Sequence, residues 1–317
     1  MQKPAFTNKV KNLSNRGLIM RTSFLLRTFI SLVLCVLLGS SAFAHPGSGI
    51  VIDKDGNVFF TDTGQGVWKI DNKGQLTYLP ASWYHWMTID ESGYFAGAQK
   101  SFGEWFERIT AQNTKPVLIT CSDFPITINR DGYLYYADTR RSSPRIIRRT
   151  TDGVESVLAS GDFFRDISGI AAGPDGSLFV TDAGNNDANI IRKITMDGTV
   201  SIFASDFAGN GFPGKPPPET AVGYCRGLAV DSLGNVYVAA TGSRRVLKIT
   251  DQGKVATILQ AADPWSPTGV AVFRGEVYVL EWSDAAPSLV DVRKAWIPRV
   301  RKIGLDGKIT ILATVSR

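Results

Sequence analysis

From Gly49 onward, apolar and polar residues alternate with period two in short runs broken by glycine turns. The stretch GIVIDKDGNVFFTDTGQGVWKIDNKGQLTYL from Gly49 shows the unit. It holds an alternating run, a polar turn ending in glycine and a β-branched or aromatic run. A short loop, a third run, a second glycine turn and a fourth run follow. GIAAGPDGSLFVTDAGNNDANIIRKITMDGTVSIFA from Gly169 and GLAVDSLGNVYVAATGSRRVLKITDQGKVATIL from Gly227 repeat it. Shorter copies begin at Met87 (MTIDESGYFAGAQ), Ile126 (ITINRDGYLYYADT) and Gly269 (GVAVFRGEVYVLEW). Period-two alternation predicts half-buried strands, and Asp-Gly turns supply the positive φ of tight hairpins. Each copy therefore reads as four antiparallel strands, with turns at Gly56, Gly93, Gly132, Gly176, Gly234 and Gly275. A four-stranded sheet cannot bury both faces alone. Six stacked around an axis can, and the stacking protects their edges. The expected fold is all-β, a six-bladed β-propeller of four-stranded antiparallel blades. The register shared by all the copies argues against a β-sandwich.

Gly227–Ile249 resembles the NHL repeat almost position for position, and FAGNGFPGKPPPETAVGYCRG before it resembles the glycine-rich linker of bacterial extracellular NHL proteins. More broadly, residues 45–317 are similar to the six-bladed propellers that include gluconolactonases and senescence-marker proteins. The resemblance is specific for fold. Function has to be argued from the site.

Residues 1–44 read as a secretory signal peptide. Arg21 and Arg27 precede an apolar run from Phe29 to Leu38, and Ala42-Phe43-Ala44 supplies the small-x-small pattern before His45. The run is too short for a membrane-spanning helix. Cleavage after Ala44 and a secreted or periplasmic location are expected, with one propeller domain over 45–317. The chain carries a formal +6, and the six cations of residues 1–44, with no acid among them, account for all of it. A mature chain of zero net charge gives no reason to expect nucleic-acid binding. A monomer without a membrane span is expected. The composition of the full chain, 44% hydrophobic and 20% charged with 31 glycines, is that of a turn-rich globular fold.

If strands A to D run outward from the axis, the A–B and C–D turns share one face. The B–C loops and the D-to-A connections share the other. The two long excursions, Ser205–Gly223 and Ser283–Ile297, fall on that second face, which marks it as the ligand face. Residues just before each A strand should ring the channel mouth there: His45, Ser48, Tyr84, His85, Asp123, Arg165, Asp166, Ser168, Arg226, Ser266 and Thr268, with Trp83, Trp86, Trp265 and Trp282 as aromatic neighbours. His85, Asp123, Arg165, Asp166, Arg226, Trp265 and Trp282 are the candidate ligand-binding set. Arginines at a mouth suit a carboxylate or phosphate through bidentate bonding. An Arg–Asp pair stitching neighbouring blades is the other reading.

The resemblance to gluconolactonases implies an axial divalent metal held by acidic and amide side chains. The matching positions here are Ser48, Ser168 and Arg226, so no cofactor is expected; a shifted register would restore a Ca2+ or other divalent site. The two histidines beyond residue 44 cannot close a zinc site without a CxxC partner. Asp55, Asp131 and Asp175 are expected to bond their own backbone in Asx turns. Cys121 and Cys225, two blades apart, are expected to be free thiols. Two function classes remain. One is an exported propeller binding a small polar or anionic ligand, or a protein partner, at its loop-rich face. The other is a lactonase-like hydrolase or a propeller lyase acting at the channel mouth.

Overall fold

Twenty-four strands form six four-stranded antiparallel sheets in the computed structural model, which describes residues 46–63, 65–82, 85–109, 116–140, 142–183, 189–205, 225–283 and 297–316. Blade one is β1–β4 (Ile50–Ile52, Val58–Asp62, Gly66–Ile70, Leu76–Leu79) and blade two β5–β8 (Trp86–Asp90, Ser101–Phe102, Phe106–Ile109, Val117–Cys121). Blade three is β9–β12 (Ile126–Ile128, Leu134–Asp138, Arg145–Arg149, Glu155–Ser160) and blade four β13–β16 (Ile167–Ala172, Leu178–Ala183, Asn189–Ile194, Val200–Ser205). Blade five is β17–β20 (Leu228–Val230, Val236–Ala240, Arg245–Ile249, Val255–Gln260) and blade six β21–β24 (Trp265–Phe273, Glu276–Ser283, Pro298–Ile303, Ile309–Thr314).

Six hydrophobic clusters hold the sheets together, one in each gap between neighbouring blades. The alternation sorts them. Phe59 packs with Met87 and Leu118 of blade two, while its neighbours Val58 and Phe60 pack with Leu280 and Trp282 of blade six. The second strands β2, β10 and β18 are consequently buried at every position rather than half-buried, because a blade covers each face. Solvent meets the outermost strands instead, where Val157, Ile202 and Ile311 are exposed.

The inner strands touch in the order β1, β5, β9, β13, β17, β21 and back to β1, so the ring is closed. No sheet mixes strands from the two ends of the described chain. Residues 46–49 make the closure. The Gly47 carbonyl accepts from Thr268 Oγ1 (2.8 Å) and Trp282 Nε1 (3.0 Å) of blade six. The amides of Ser48 and Gly49 donate to the His85 carbonyl, toward blade two. A side chain at Gly269 would strike the Ser48 carbonyl, so glycine is required where these inner backbones meet.

Nine hairpin turns are built alike. In each, a glycine of positive φ donates to the residue three before it, which in turn donates to the carbonyl just after the glycine, as at Asp53, Gly56 and Asn57. This is the three-residue loop with glycine in the left-handed position. The side chain organising the turn differs from expectation in two copies. Asp53 Oδ1, not Asp55, accepts the amides of Asp55 (3.0 Å) and Asn57 (2.8 Å), and Asn129 rather than Asp131 accepts from Tyr133 (3.0 Å). The first turn residue reaches both amides. In blade four that place is Gly173, and the task passes to Asp175, which accepts from Ser177 (3.1 Å) as expected.

Blade two departs from the repeat. Gly93 forms its turn (φ 71°), but the following YFAGAQ is not a strand, and the sheet runs β5-β8-β7-β6. Residues 94–98 fold through successive turns, with the Phe95 amide on Asp90 Oδ2 (2.7 Å) and its ring buried against Phe102. The β-branched run Val117–Cys121 takes the vacated place beside β5, antiparallel to it, so chain parity at the two faces is kept.

Candidate functional site

At the end of each second strand nearest the B–C loops, blades one, three, four and six carry a buried acid: Asp62, Asp138, Asp182 and Glu281. Three of these meet arginines of the third strand, and Asp62 takes the Trp68 indole instead (2.9 Å). Asp182 pairs with Arg192 (2.7 Å), and Glu281 with Arg299 (2.6 Å) and Arg301. Burial works against ionisation of Asp138, yet hydrogen bonds from Arg140 and Arg145 outweigh it and hold its pKa at about 2. The arginines also stack on rings in the D-to-A connections or at the strand that follows: Arg140 on Phe124 (5.0 Å), Arg192 on Phe163 (5.4 Å) and Arg299 on Trp265 at the start of β21 (3.9 Å). Each such unit fixes a connection bordering the mouth. Asp182 Oδ1 also accepts the amides of Arg165 (2.9 Å) and Asp166 (3.0 Å), setting the backbone that carries these two exposed residues. Blade five has Ala240 in place of the acid.

Arg226 and Asp123 both act electrostatically on His85. His85 Nδ1 donates to the Ser122 carbonyl at 2.8 Å, a tautomer set by the acceptor. Burial, aided by the charge of Arg226, lowers the His85 pKa, against the opposing pull of the Ser122 carbonyl and Asp123. Arg226 Nη1 donates to the Pro46 carbonyl at 2.6 Å, which ties segment 46–49 across to blade five. Two of the expected ligand contacts have protein partners of their own. Trp282 is fully buried, with its indole on Gly47, and one face of Trp265 is covered by Arg299. His45, Trp83 and Tyr84, residues 1–44 and most of 205–223 and 283–297, where a signal segment and two long excursions are expected, lie outside the described residues.

The lowered His85 pKa has a sign. The unfolded chain takes up this proton near pH 6.5, while the folded protein resists it until lower pH, so acid favours unfolding. Stability is expected to hold above about pH 6.5 and to decline as pH falls below it. Denaturant titrations across that range should show a shallower decline for His85→Gln. Superimposable profiles for the two proteins would remove the histidine from the account.

At the positions matched to axial metal ligands, Ser168 Oγ donates to the Cys225 carbonyl (2.5 Å), and Arg226 presents a cation. Ser48 Oγ is buried without a hydrogen-bond partner among the described residues. One hydroxyl beside a guanidinium does not suit a divalent cation, which needs several oxygens and no opposing charge. No group of three or more His, Cys, Asp or Glu among the described residues is placed to hold a metal. Cys121 and Cys225 are free, and burial pushes both thiols up to about 12, which keeps them protonated at neutral pH.

Comparison with known proteins agrees with this architecture. A family described as Beta-propeller repeat matches residues 220–243. No curated protein matches the sequence. Among solved structures, a luciferin-regenerating enzyme is similar over 82% of this chain and 92% of its own, at 18% identity and a TM-score of 0.54. Virginiamycin B lyase from Staphylococcus aureus aligns over 86% and 85% at 15% identity and a TM-score of 0.47. Regucalcin, a calcium-binding protein from Agrobacterium tumefaciens, aligns over 78% and 84% at 12% identity and a TM-score of 0.48. At these identities the likeness is one of fold.

Proposed function

We propose that this protein is an exported propeller that binds a small carboxylate-bearing ligand at its channel mouth, without a resident metal. The observation that carries the reading is that segment 46–49 joins Arg226 to His85: Pro46 accepts from the guanidinium, the amides of Ser48 and Gly49 donate to the His85 carbonyl, and the His85 ring donates to Ser122, next to Asp123. Arg226 supplies the positive field that draws a carboxylate. The half-buried imidazole stays neutral near pH 7, and with Nδ1 donating to Ser122 its Nε2 is an acceptor for a hydroxyl or ammonium group of the ligand. Asp123 sets orientation, favouring ligands that carry hydroxyl or ammonium groups beside the acid. Arg165 adds a second cation at the border of the site. A binding role is preferred to lactone hydrolysis because Ser48, Ser168 and Arg226 do not make the oxygen-rich set that a metal-dependent hydrolase needs.

One preparation tests both parts of the reading. Protein recovered from the periplasm or medium should have an intact mass that begins at His45. Titration calorimetry of that protein with sugar acids and acidic peptides should show saturable binding, weakened about tenfold or more in Arg226→Ala. Unchanged affinity in the variant overturns the site, and retention of residues 1–44 overturns the export.

A further inference from the structure

Blade three carries a concavity on the face of the B–C and D-to-A connections, outside the ring of inner-strand residues. It is an open cavity of about 550 Å3 lined by Ser142, Ser143, Arg145, Ser160, Gly161 and Asp162, a size within the range of small-molecule sites. The β10–β11 connection forms one side, and the end of β12 with its outgoing segment forms the other. Its chemistry differs from that of the mouth. Arg145 places Nη2 on Asp138 (2.8 Å), while its buried Nε has no acceptor among the described residues. Ser143 Oγ donates to Asp162 Oδ1 (2.9 Å). Three hydroxyls, a guanidinium and a carboxylate thus border one space.

Charge decides what such a space can take. Among the described lining residues one cation stands against one anion, and Arg145 is already neutralised by Asp138. An anionic ligand would meet the Asp162 carboxylate with no spare cation to offset it. A neutral polyol fits, because its hydroxyls both donate to a carboxylate and accept from a guanidinium and from serines. An aromatic ring adjoins the lining at Gly161. Phe163 is 43% exposed, and its ring fills the place a side chain at Gly161 would need. Phe164 (4.7 Å between centroids) and Arg192 hold that ring in position. An exposed rigid ring beside clustered hydrogen-bonding groups matches the C–H face and hydroxyl rim of a pyranose.

We propose that this blade-three cavity binds a neutral sugar unit. Asp162 accepts from one hydroxyl and Arg145 donates to its neighbour. The serines take the remaining rim, and Phe163 packs against the ring face. The site is separate from the mouth and does not depend on the function proposed for it. The test uses the full mature chain and a panel of neutral methyl glycosides (glucoside, galactoside, mannoside and N-acetylglucosaminide), with gluconate and inorganic phosphate as anionic arms. Saturation-transfer NMR should report binding of at least one neutral glycoside, about tenfold weaker in Asp162→Asn, the loss of one charge-assisted hydrogen bond. Phe163→Ala should weaken it as well, with the fold of both variants checked by circular dichroism. Absence of transfer from every neutral glycoside overturns the proposal. So does glycoside binding that is indifferent to both substitutions, or binding of the anions alone that Asp162→Asn strengthens.

Discussion

Glu281→Ala is expected to lower the unfolding free energy by about 3–5 kcal/mol, the usual penalty for stranding buried charge. Glu281 is wholly buried and accepts from Arg299 and Arg301, whose side chains are themselves only 12% and 13% exposed. Removing the acid leaves two guanidiniums in a site built for a carboxylate, one of them stacked on Trp265. The loss therefore measures the exposed imbalance rather than the worth of the pair. Glu281→Gln keeps the shape and one acceptor oxygen and should fall between wild type and alanine. The exposed pair Lys193–Asp175 is the control: Lys193→Ala breaks it while Asp175 keeps its turn bonds, and should cost under about 1 kcal/mol. Urea denaturation of the three variants gives the comparison. If Glu281→Ala costs no more than Lys193→Ala, the buried pair does not organise blade six.

The same unit shows where sequence reasoning succeeds and where it stops. The glycine turns at Gly56, Gly132, Gly176 and Gly234 were legible because a positive φ is a local demand that few other residues meet. Blade count, face assignment and the D-to-A placement of His85 and Arg226 follow from those turns by chain parity. Gly93 was equally legible as a turn, yet the strand after it was not. Whether YFAGAQ or the later VLITC lies beside β5 is decided by long-range packing of Phe95 and Phe106, which local propensity does not contain. The buried acids were visible at one repeat position, in FFTD, YYAD, FVTD and VLEW, each followed by a basic third strand. Reading only the residues before each first strand passed over them. Nor did it see that Trp282 fills the seam between blades, or that Trp265 carries an arginine on one face.

Fixed connections matter for the mouth, because a propeller's inner loops hang from strand ends that its core does not reach. Asp182 spends one oxygen on Arg192 and the other on the amides of Arg165 and Asp166, so a single carboxylate couples blade-four packing to two mouth residues. Asp138 does the same for Arg140 and Arg145, and through them for the rings of Phe124 and Trp105 and for the blade-three cavity. Stability and the placement of the connections that carry the candidate residues therefore rest on the same buried charges.

Trp282→Ala is expected to cost about 3–5 kcal/mol, for a reason particular to how this ring closes. Blades one and six are each complete, so no shared strand locks them together. Their seam is held by a cluster of Ile50, Val58, Phe60, Leu280, Val300 and Trp282, and by the hydrogen bonds on the Gly47 carbonyl. Truncating the indole opens a cavity in that cluster and removes one of those bonds at once. Trp282→Phe keeps most of the volume and loses the bond, so about 1–2 kcal/mol is expected, with Thr268 still holding Gly47. Denaturant unfolding separates the two costs. Hydrogen exchange then locates them, because the amides of Gly47, Ser48 and Gly49, bonded to Thr63 Oγ1 and the His85 carbonyl, should exchange faster in the alanine variant than those of the blade-four strands. Uniform acceleration across all blades would mean that the ring opens as one unit and that the seam is not its weak point. Acceleration confined to residues 46–49 and their partners would tie the seam to the mouth, since Pro46 is also the acceptor that holds Arg226.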